Sequence, residues 1–513
     1  MSNLSELIPA GGGQNNTDFV ADGGITSGKP VILNSAGTVT QVGISTVAAA
    51  VPYGSASEVD STRTTGVTYG SIATDPFNTG RVVAGITVAG ASTPGIRIGT
   101  TSGSTITWGT EIVVNSETNE HPPVICFDPN NENQILLAYL GTYSSREYVI
   151  ASATITGTSS ITLGTPVAFT GTGSFYQLTG GMLSFDSNNT STPTFGMVYV
   201  TTDGYGRFYN RAGTISGNTI TLGTATELGG GAGSLAWSAQ YLTSLNFNTS
   251  GTFVISGRAN PAGGYVFVRA GTISGTTITL GTSVSLYSDY GTIGNAVVDP
   301  SAPTKFVTAW RESATVAKIN VGTLSGTGDR TITAGTSVSI SGGDEWIYLV
   351  STFNPTTEGE FSLTFIDSTN TEYLGAICSY TGTTPTVGTP ATLIGNNTED
   401  QWVACDISSE VFYTILNNDT NANIEVVLGK FETQETNLTA TNLLGIASGA
   451  ILDTATGTIN TWGSRNEVQT SLTIGSDYYV QSDGTITTAS ASPAQLIGEA
   501  ITATQINIKD YTG

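Results

Sequence analysis

Histidine occurs once and cysteine three times in this 513-residue chain, and only 11% of the residues are charged. Each scarcity excludes some chemistry. A single histidine, His121 in NEHPP, cannot supply the clustered ligands of a zinc site. Any Ser-His-Asp or Cys-His relay would have to run through it, and no GxSxG elbow offers a nucleophile. His121 therefore reads as a loop–strand junction residue, and neither a metal nor a cofactor is expected. Cys126, Cys378 and Cys405 are odd in number, share no CxxC spacing, and sit in the apolar strings ICF, AIC and VAC. They are expected as buried free thiols, not as a disulfide framework. Basic residues are also few. Lys and Arg total 16 against 39 Asp and Glu, a net charge of −23, which repels phosphate and disfavours nucleic acid or anionic membranes as partners. No apolar run approaches 18 residues, so no membrane insertion is expected. The opening MSNLSELIPAGGGQNN lacks a basic stretch followed by an apolar one, so no secretory signal is read there.

Runs with 3.6-residue apolar spacing are missing too, whereas Thr, Val, Ile and Tyr abound and 64 glycines punctuate them. Branched and aromatic side chains suit pleated, half-buried surfaces, and glycine suits the turns between them. The fold class is all-β.

A repeat then sets the architecture. AGTISGNTITLGTATEL (212–228) recurs as AGTISGTTITLGTSVSL (270–286), with weaker copies at 98–114, 152–169, 321–340 and 378–394. The glycine of the shared Gly-Thr pair falls at 109, 164, 223, 281, 335 and 388, a step of 53 to 59 residues. Upstream of each copy an apolar run ends in an Asx turn, at Asp75, Asp128, Asp186, Asn248, Asp299, Asn354 and Asp406. One unit reads as four antiparallel strands: PVICF, ILLAYL, YVIASATI and ITLGTPVAF. That is the pattern of a propeller blade, stacked radially because a lone sheet leaves both faces uncovered. WD40 and kelch signatures are absent. Seven landmarks predict a seven-bladed propeller over 36–432. The last unit lacks its Gly-Thr strand, and AGTVTQVGISTVAAAV (36–51) is expected to supply it and close the ring.

Beyond residue 433 the repeat stops. ITSGKPVILNSAGTVT (25–40) and LTIGSDYYVQSDGTIT (472–487) share six identities in sixteen positions. The expectation is a small β-module formed by both chain ends, with 21–35 as its N-terminal part and 433–513 as its C-terminal part. Residues 1–20 are expected to form a flexible or anchoring arm.

The opening LSELIPAGGGQNNTDFVADGGITSG, the GTISGTTITLGT repeats and the closing NLLGIASGAI…YYVQSDGTITT…IGEAITATQINIK together resemble structural proteins of tailed bacteriophages infecting marine bacteria. The resemblance covers almost the whole chain. It implies a virion component of the tail-fibre or tail-appendage type that carries a propeller and is present in multiple copies. Docking to other virion proteins through the terminal module is implied as well.

Propellers also host paired-carboxylate glycosidases. The sialidase box, however, needs an aspartate that SGSTITW (102–108) lacks, and the eleven arginines are scattered. A polysaccharide-degrading enzyme is therefore the third reading, behind an adhesin or rigid spacer and a purely architectural nozzle, baseplate or capsid-decorating protein. Binding is better supported than catalysis. The links between blades bring Phe175, Tyr176, Trp237, Tyr241, Tyr287, Tyr290, Trp346 and Trp402 to one face of the ring. Beside them lie Glu117, Glu120, Asp289, Asp344, Glu345, Glu399 and Asp400. Aromatic planes next to carboxylates suit a host-surface glycan, and Tyr and Trp also dominate protein-binding hot spots. The competing assignment for any one of these aromatics is a wedge packed between blades.

Overall fold

A computed structural model describes residues 15–60, 71–88, 93–117, 122–142, 147–169, 182–201, 207–228, 244–248, 251–259, 265–288, 292–313, 316–326, 328, 330–340, 346–367, 372–395, 401–405, 410–418, 423–490 and 495–509. Strands make up nearly all the regular structure of these residues. The chain divides into two compact units, 49–431 and the paired ends 1–48 with 432–513.

The larger unit holds seven antiparallel sheets among the described residues. Their strands run over 71–113, 124–168, 183–227, 244–287, 292–340, 346–395 and 401–430. The first strand of each sheet lies against the first strand of the next, and that of the seventh returns to the first. The fold is an all-β propeller. Buried apolar clusters fill the spaces between consecutive sheets. Val83, Ile98, Leu137 and Ala151 pack between the first and second, and Val307, Ile319, Phe361 and Leu363 between the fifth and sixth. The axis carries a channel of about 360 Å³ bordered by first-strand residues of all seven sheets, among them Ala73, Cys126, Ser184, Asn246, Asn295, Thr352 and Ala404.

Edge strands around such a channel would leave backbone groups unpaired. Short polar side chains meet that need. Asn295 donates to the Ser351 carbonyl and accepts from the Ser351 amide, both at 2.7 Å. The Ser244 hydroxyl accepts from the Ala296 amide at 2.7 Å, and Asn246 accepts from Val298 at 2.9 Å.

The repeat has two structural causes, and both are close approaches at glycine. In the AGT segment, Gly213, Gly271 and Gly322 sit directly opposite Phe195, Phe253 and Phe306 on the neighbouring strand. Each phenyl ring lies across its glycine, where a Cβ would overlap it. At the Gly-Thr pair of the second sheet the fourth strand breaks, so the expected continuous ITLGTPVAF strand is two pieces, Ser160–Leu163 and Val167–Ala168, whereas in the fifth sheet Thr331–Ile340 runs through unbroken. At the break, Gly164 seats against the outer turn of the next sheet, with Asn218 O 2.7 Å from where a Cβ would stand. Gly109, Gly223, Gly281 and Gly335 face Thr158, Thr276, Arg330 and Thr383 in the same way.

The Asx landmarks are buried turns. Asp75, Asp128, Asp186, Asp299 and Asn354 each accept the backbone N–H two residues on, at 2.8–3.0 Å. Asn248 accepts from Thr252 instead, at 2.9 Å. The seventh landmark, Asp406, lies outside the described residues. These turns also help to couple the sheets: a hydrogen bond crosses every junction of the ring. Arg81 donates to Asn133, Gln134 to the Gly217 carbonyl, Asn188 to the Asn248 carbonyl and Asn248 to the Pro303 carbonyl. Ser301 donates to the Pro355 carbonyl, Thr356 to Glu410 and Tyr413 to Thr101.

At the fifth–sixth junction the Asp299 carboxylate also accepts the Tyr380 hydroxyl at 2.6 Å and the Gly359 amide at 2.8 Å. Burial, and then the adjacent Asp299 carboxylate, push the Tyr380 phenol well above its ordinary value of 10.0. Folding thus favours the protonated phenol, a contribution that is complete below pH 10 and lost as pH rises further. Wild-type protein is expected to lose more melting temperature between pH 9 and 11.5 than Tyr380→Phe does. Parallel curves would show that the phenol contributes nothing to this dependence.

An N-terminal strand closes the ring as expected, but it comes from a different segment than 36–51. The strand that completes the seventh sheet is Ser57–Asp60, paired with Ile424–Val426. Just before it, Ala50 bridges Lys430, and the Tyr53 amide donates to the Leu428 carbonyl at 2.6 Å. Residues 39–41 and 44–47, expected in that strand, belong to the terminal unit. The difference is one of burial. Val59 is fully buried in the core of the seventh sheet, whereas Ile44 is 45% exposed.

The terminal unit has a five-stranded sheet in the order 16–20, 456–460, 443–447, 30–33, 39–41. A second five-stranded sheet comes from 465–508. The two aligned segments form matching hairpins. Asn34 and Gln481 each donate to a carbonyl four residues on, and Gly37 and Gly484 take φ of +82° and +77°. The expected arm over 1–20 is corrected at its end: Asn16–Val20 is a strand on the 456–460 edge, pinned by Thr458 to Asp18 and Asn460 to Asn16.

Of the three thiols, Cys378 is 2% exposed, and burial pushes its pKa up to about 12. It should resist alkylation at pH 8 in the folded protein and react on unfolding. Peptide mapping that found Cys378 labelled without denaturant would contradict this burial.

Candidate functional site

Most of the residues singled out from the sequence lie outside the described residues. These are Phe175, Tyr176, Trp237, Tyr241, Tyr290, Asp289, Asp344, Glu345, Asp400, Glu120 and Glu399, together with His121. Trp346 begins one strand, Trp346–Phe353, and Trp402 lies in another, Gln401–Cys405. Glu117 is exposed, and its amide caps back on Asn115. Tyr287 ends the strand Val284–Tyr287. It is half-buried against a cluster formed by Val266 and Trp310, the wedge position between the fourth and fifth sheets.

The described residues offer a different concavity, which the sequence analysis did not single out. It is a groove of about 880 Å³ on the outer part of the third sheet, bordered by Phe169 of the second sheet and Thr276–Ile278 of the fourth. Its floor is built by register. Tyr199 and Tyr209 are directly opposite on adjacent strands, which brings their rings to 5.7 Å with a 21° interplanar angle. Phe169 meets Tyr199 edge-on at 5.5 Å. Tyr199 and Phe169 are buried, while Tyr209 is half-buried and borders the groove. Burial raises the Tyr199 pKa, the Arg211 charge acting against it. The Tyr199 phenol is thus a neutral hydrogen-bonding group at physiological pH.

Arg211 lies two residues along from Tyr209 and so on the same face of the strand. Its Nε donates to the Gly223 carbonyl at 2.6 Å and its Nη1 to the Phe169 carbonyl at 3.0 Å. Arg269 repeats this clamp one sheet on, donating to Gly281 at 2.7 Å and Leu228 at 2.9 Å. A guanidinium held by two carbonyls has a fixed orientation. Arg97, at the corresponding place in the first sheet, stands 3.8 Å from Glu111. Arg211 pairs with no carboxylate among the described residues.

Comparison among the sheets separates the ordinary from the unusual. The pair corresponding to Tyr199/Tyr209 is Ile86/Gly95, Tyr139/Val149, Gly257/Phe267, Trp310/Lys318, Phe365/Leu374 and Leu416/Glu425 in the other six. Two aromatic rings face each other there in the third sheet alone. The sequence signal, Tyr at the third and Arg at the fifth position of RFYNRAGTIS, lay inside the repeat, where it read as strand packing.

No family model matches the chain, and no curated protein does. Solved structures with which it shares a similar arrangement include the Chaetomium thermophilum Sqt1 bound to the N-terminus of ribosomal protein L10. That likeness has 10% identity and a TM-score of 0.41, and covers 74% of this chain and 100% of that one. The Aleuria aurantia lectin AAL, in complex with a fucosyl-GlcNAc, is 14% identical, with 64% and 96% covered and a TM-score of 0.39. The β-propeller domain of the trilobed protease from Pyrococcus furiosus is 8% identical, with 72% and 95% covered and a TM-score of 0.37. These likenesses concern the fold.

Proposed function

We propose that the chain is a non-enzymatic structural protein of a virion, a tail fibre or appendage whose propeller serves as a host-surface adhesin or rigid spacer. Other virion proteins would hold it through the terminal unit, in several copies per particle. The reading rests on the resemblance of the head, repeat and tail segments to phage structural proteins. The observation that carries its mechanical part is the interlacing of the chain. Strand 57–60 completes the last sheet of the ring, and strand 16–20 completes a sheet made largely from the C-terminal residues. With a hydrogen bond at every sheet junction and a strand from the N-terminal side built into the last sheet, opening the ring breaks junction bonds and exposes buried apolar layers. A component that must transmit or withstand force needs that property.

The test is localisation. Antibodies to the purified protein should decorate the tails of intact particles under electron microscopy, and its peptides should appear in the particle proteome. Absence from purified, infectious particles would overturn the virion assignment. Decoration of the capsid or baseplate in place of the tail would favour the architectural alternative. Release of reducing ends from host polysaccharide by the purified protein would overturn the non-enzymatic part.

A further inference from the structure

We infer that the groove on the third sheet is a saccharide site for a sugar residue bearing a carboxylate, with Arg211 receiving the carboxylate and Tyr209 the sugar ring. The inference deepens the recognition part of the preceding proposal and rests on it.

Three observations converge on that chemistry. The first is the unneutralised guanidinium. In a chain with net charge −23, Arg211 is half-buried and paired with no carboxylate among the described residues. Two of its N–H groups are committed to the Gly223 and Phe169 carbonyls. The rest of the planar fork has no partner among the described residues, and such a fork matches a carboxylate bidentately.

The second is the aromatic floor. Tyr209 stacks on Tyr199 at 5.7 Å, so its ring is fixed and costs little further ordering when an apolar sugar face lies on it. The third is the wall. Gly223, Thr224 and Ala225 are small, and Thr224 is exposed. A flat ring can therefore enter, with hydroxyl and carbonyl groups nearby for its own hydroxyls. The aromatic pair is no requirement of the blade, because the other six sheets close the same position with different residues, whereas the carbonyl clamp of Arg211 recurs at Arg269.

The experiment titrates the full chain with alginate oligosaccharides, with maltooligosaccharides of the same length as the neutral arm and dextran sulfate as the strongly anionic one. Saturable binding to the uronate chain is expected, with at least tenfold weaker binding in both other arms. Arg211→Lys, which keeps the charge and loses the bidentate fork, should weaken uronate binding about tenfold. Thr224→Trp changes an exposed residue and should abolish binding by filling the groove, with the melting temperature unchanged. That second variant guards against Arg211 variants that loosen the clamp and fail to fold.

Equal binding to dextran sulfate would reduce the site to a charge effect and overturn the proposal, as would uronate binding untouched by Thr224→Trp. No binding to any of the three would overturn it too. Particle labelling is scored separately. A protein that decorates tails but binds no uronate loses this site and keeps its place in the virion, and uronate binding by a protein absent from particles does the reverse.

Discussion

Replacing Gly223 or Gly281 with alanine is expected to destabilise the propeller by about 3 kcal/mol or more. At both positions a Cβ would stand far inside van der Waals contact with a backbone carbonyl oxygen in the next sheet, that of Thr276 or of Arg330. Backbone cannot swing aside as a long side chain can, so relief requires the two sheets to part. The apolar layer between them, with Val198, Leu245 and Phe253 fully or nearly buried between the third and fourth sheets, is close-packed and tolerates little expansion. Gly395→Ala is the control. Nothing lies within 4 Å of its Cβ position and its φ is not in the left-handed range, so its stability should stay within about 0.5 kcal/mol of wild type. Denaturant midpoints would decide. If Gly223→Ala and Gly395→Ala unfold together, the seat of one sheet on the next is looser than the structure requires.

The second large effect is expected at the closing strand. Val59→Asp places a carboxylate at a site with no solvent exposure, among Val426, Ile415 and Ile72 of the seventh and first sheets. An uncompensated charge there disfavours docking of strand 57–60 by roughly 4–5 kcal/mol. The seventh sheet would then present an unpaired edge along Ile424–Val426, a template for association with other chains. The expected result is loss of cooperative unfolding and concentration-dependent aggregation. Ile44→Asp, at an exposed position on strand Ile44–Val47, should leave both unchanged. The pair of variants separates the two candidate closing segments. Aggregation by Ile44→Asp with a soluble, cooperative Val59→Asp would restore residues 36–51 to the ring.

That contrast also shows where sequence reading lost its grip. AGTVTQVGISTVAAAV has the Gly-Thr signature of the missing fourth strand, but the signature alone marks a turn followed by a strand. Segment 25–40 carries the same signature as 472–487 because both are hairpins of the terminal unit, and turn chemistry cannot tell one β-unit from another. The true closing strand, SEVD, has one apolar residue, and its partner strand 423–430 is buried throughout. Only the partner's need for cover selects it.

The candidate site shows the same limit. The aromatic-rich links stood out in composition but fall largely outside the described residues, and Tyr287 lies half-buried against Val266 and Trp310. The described groove, by contrast, is made of Tyr199, Tyr209 and Arg211, three residues in strands with nothing unusual about any one of them.

The sequence by itself determined the class, the repeat and the turn positions, because β-branched and aromatic composition, glycine and Asx chemistry act over a few residues. It also held the reason for the repeat in plain view, as a glycine every 53 to 59 residues. What Gly109, Gly164, Gly223, Gly281 and Gly335 touch is a carbonyl in the next sheet, a contact across about fifty residues of chain, and tertiary structure alone decided it. Tertiary structure likewise decided which segment closes the ring and which two tyrosines meet. Register and burial are properties of pairs of distant strands, and no local pattern encodes the partner.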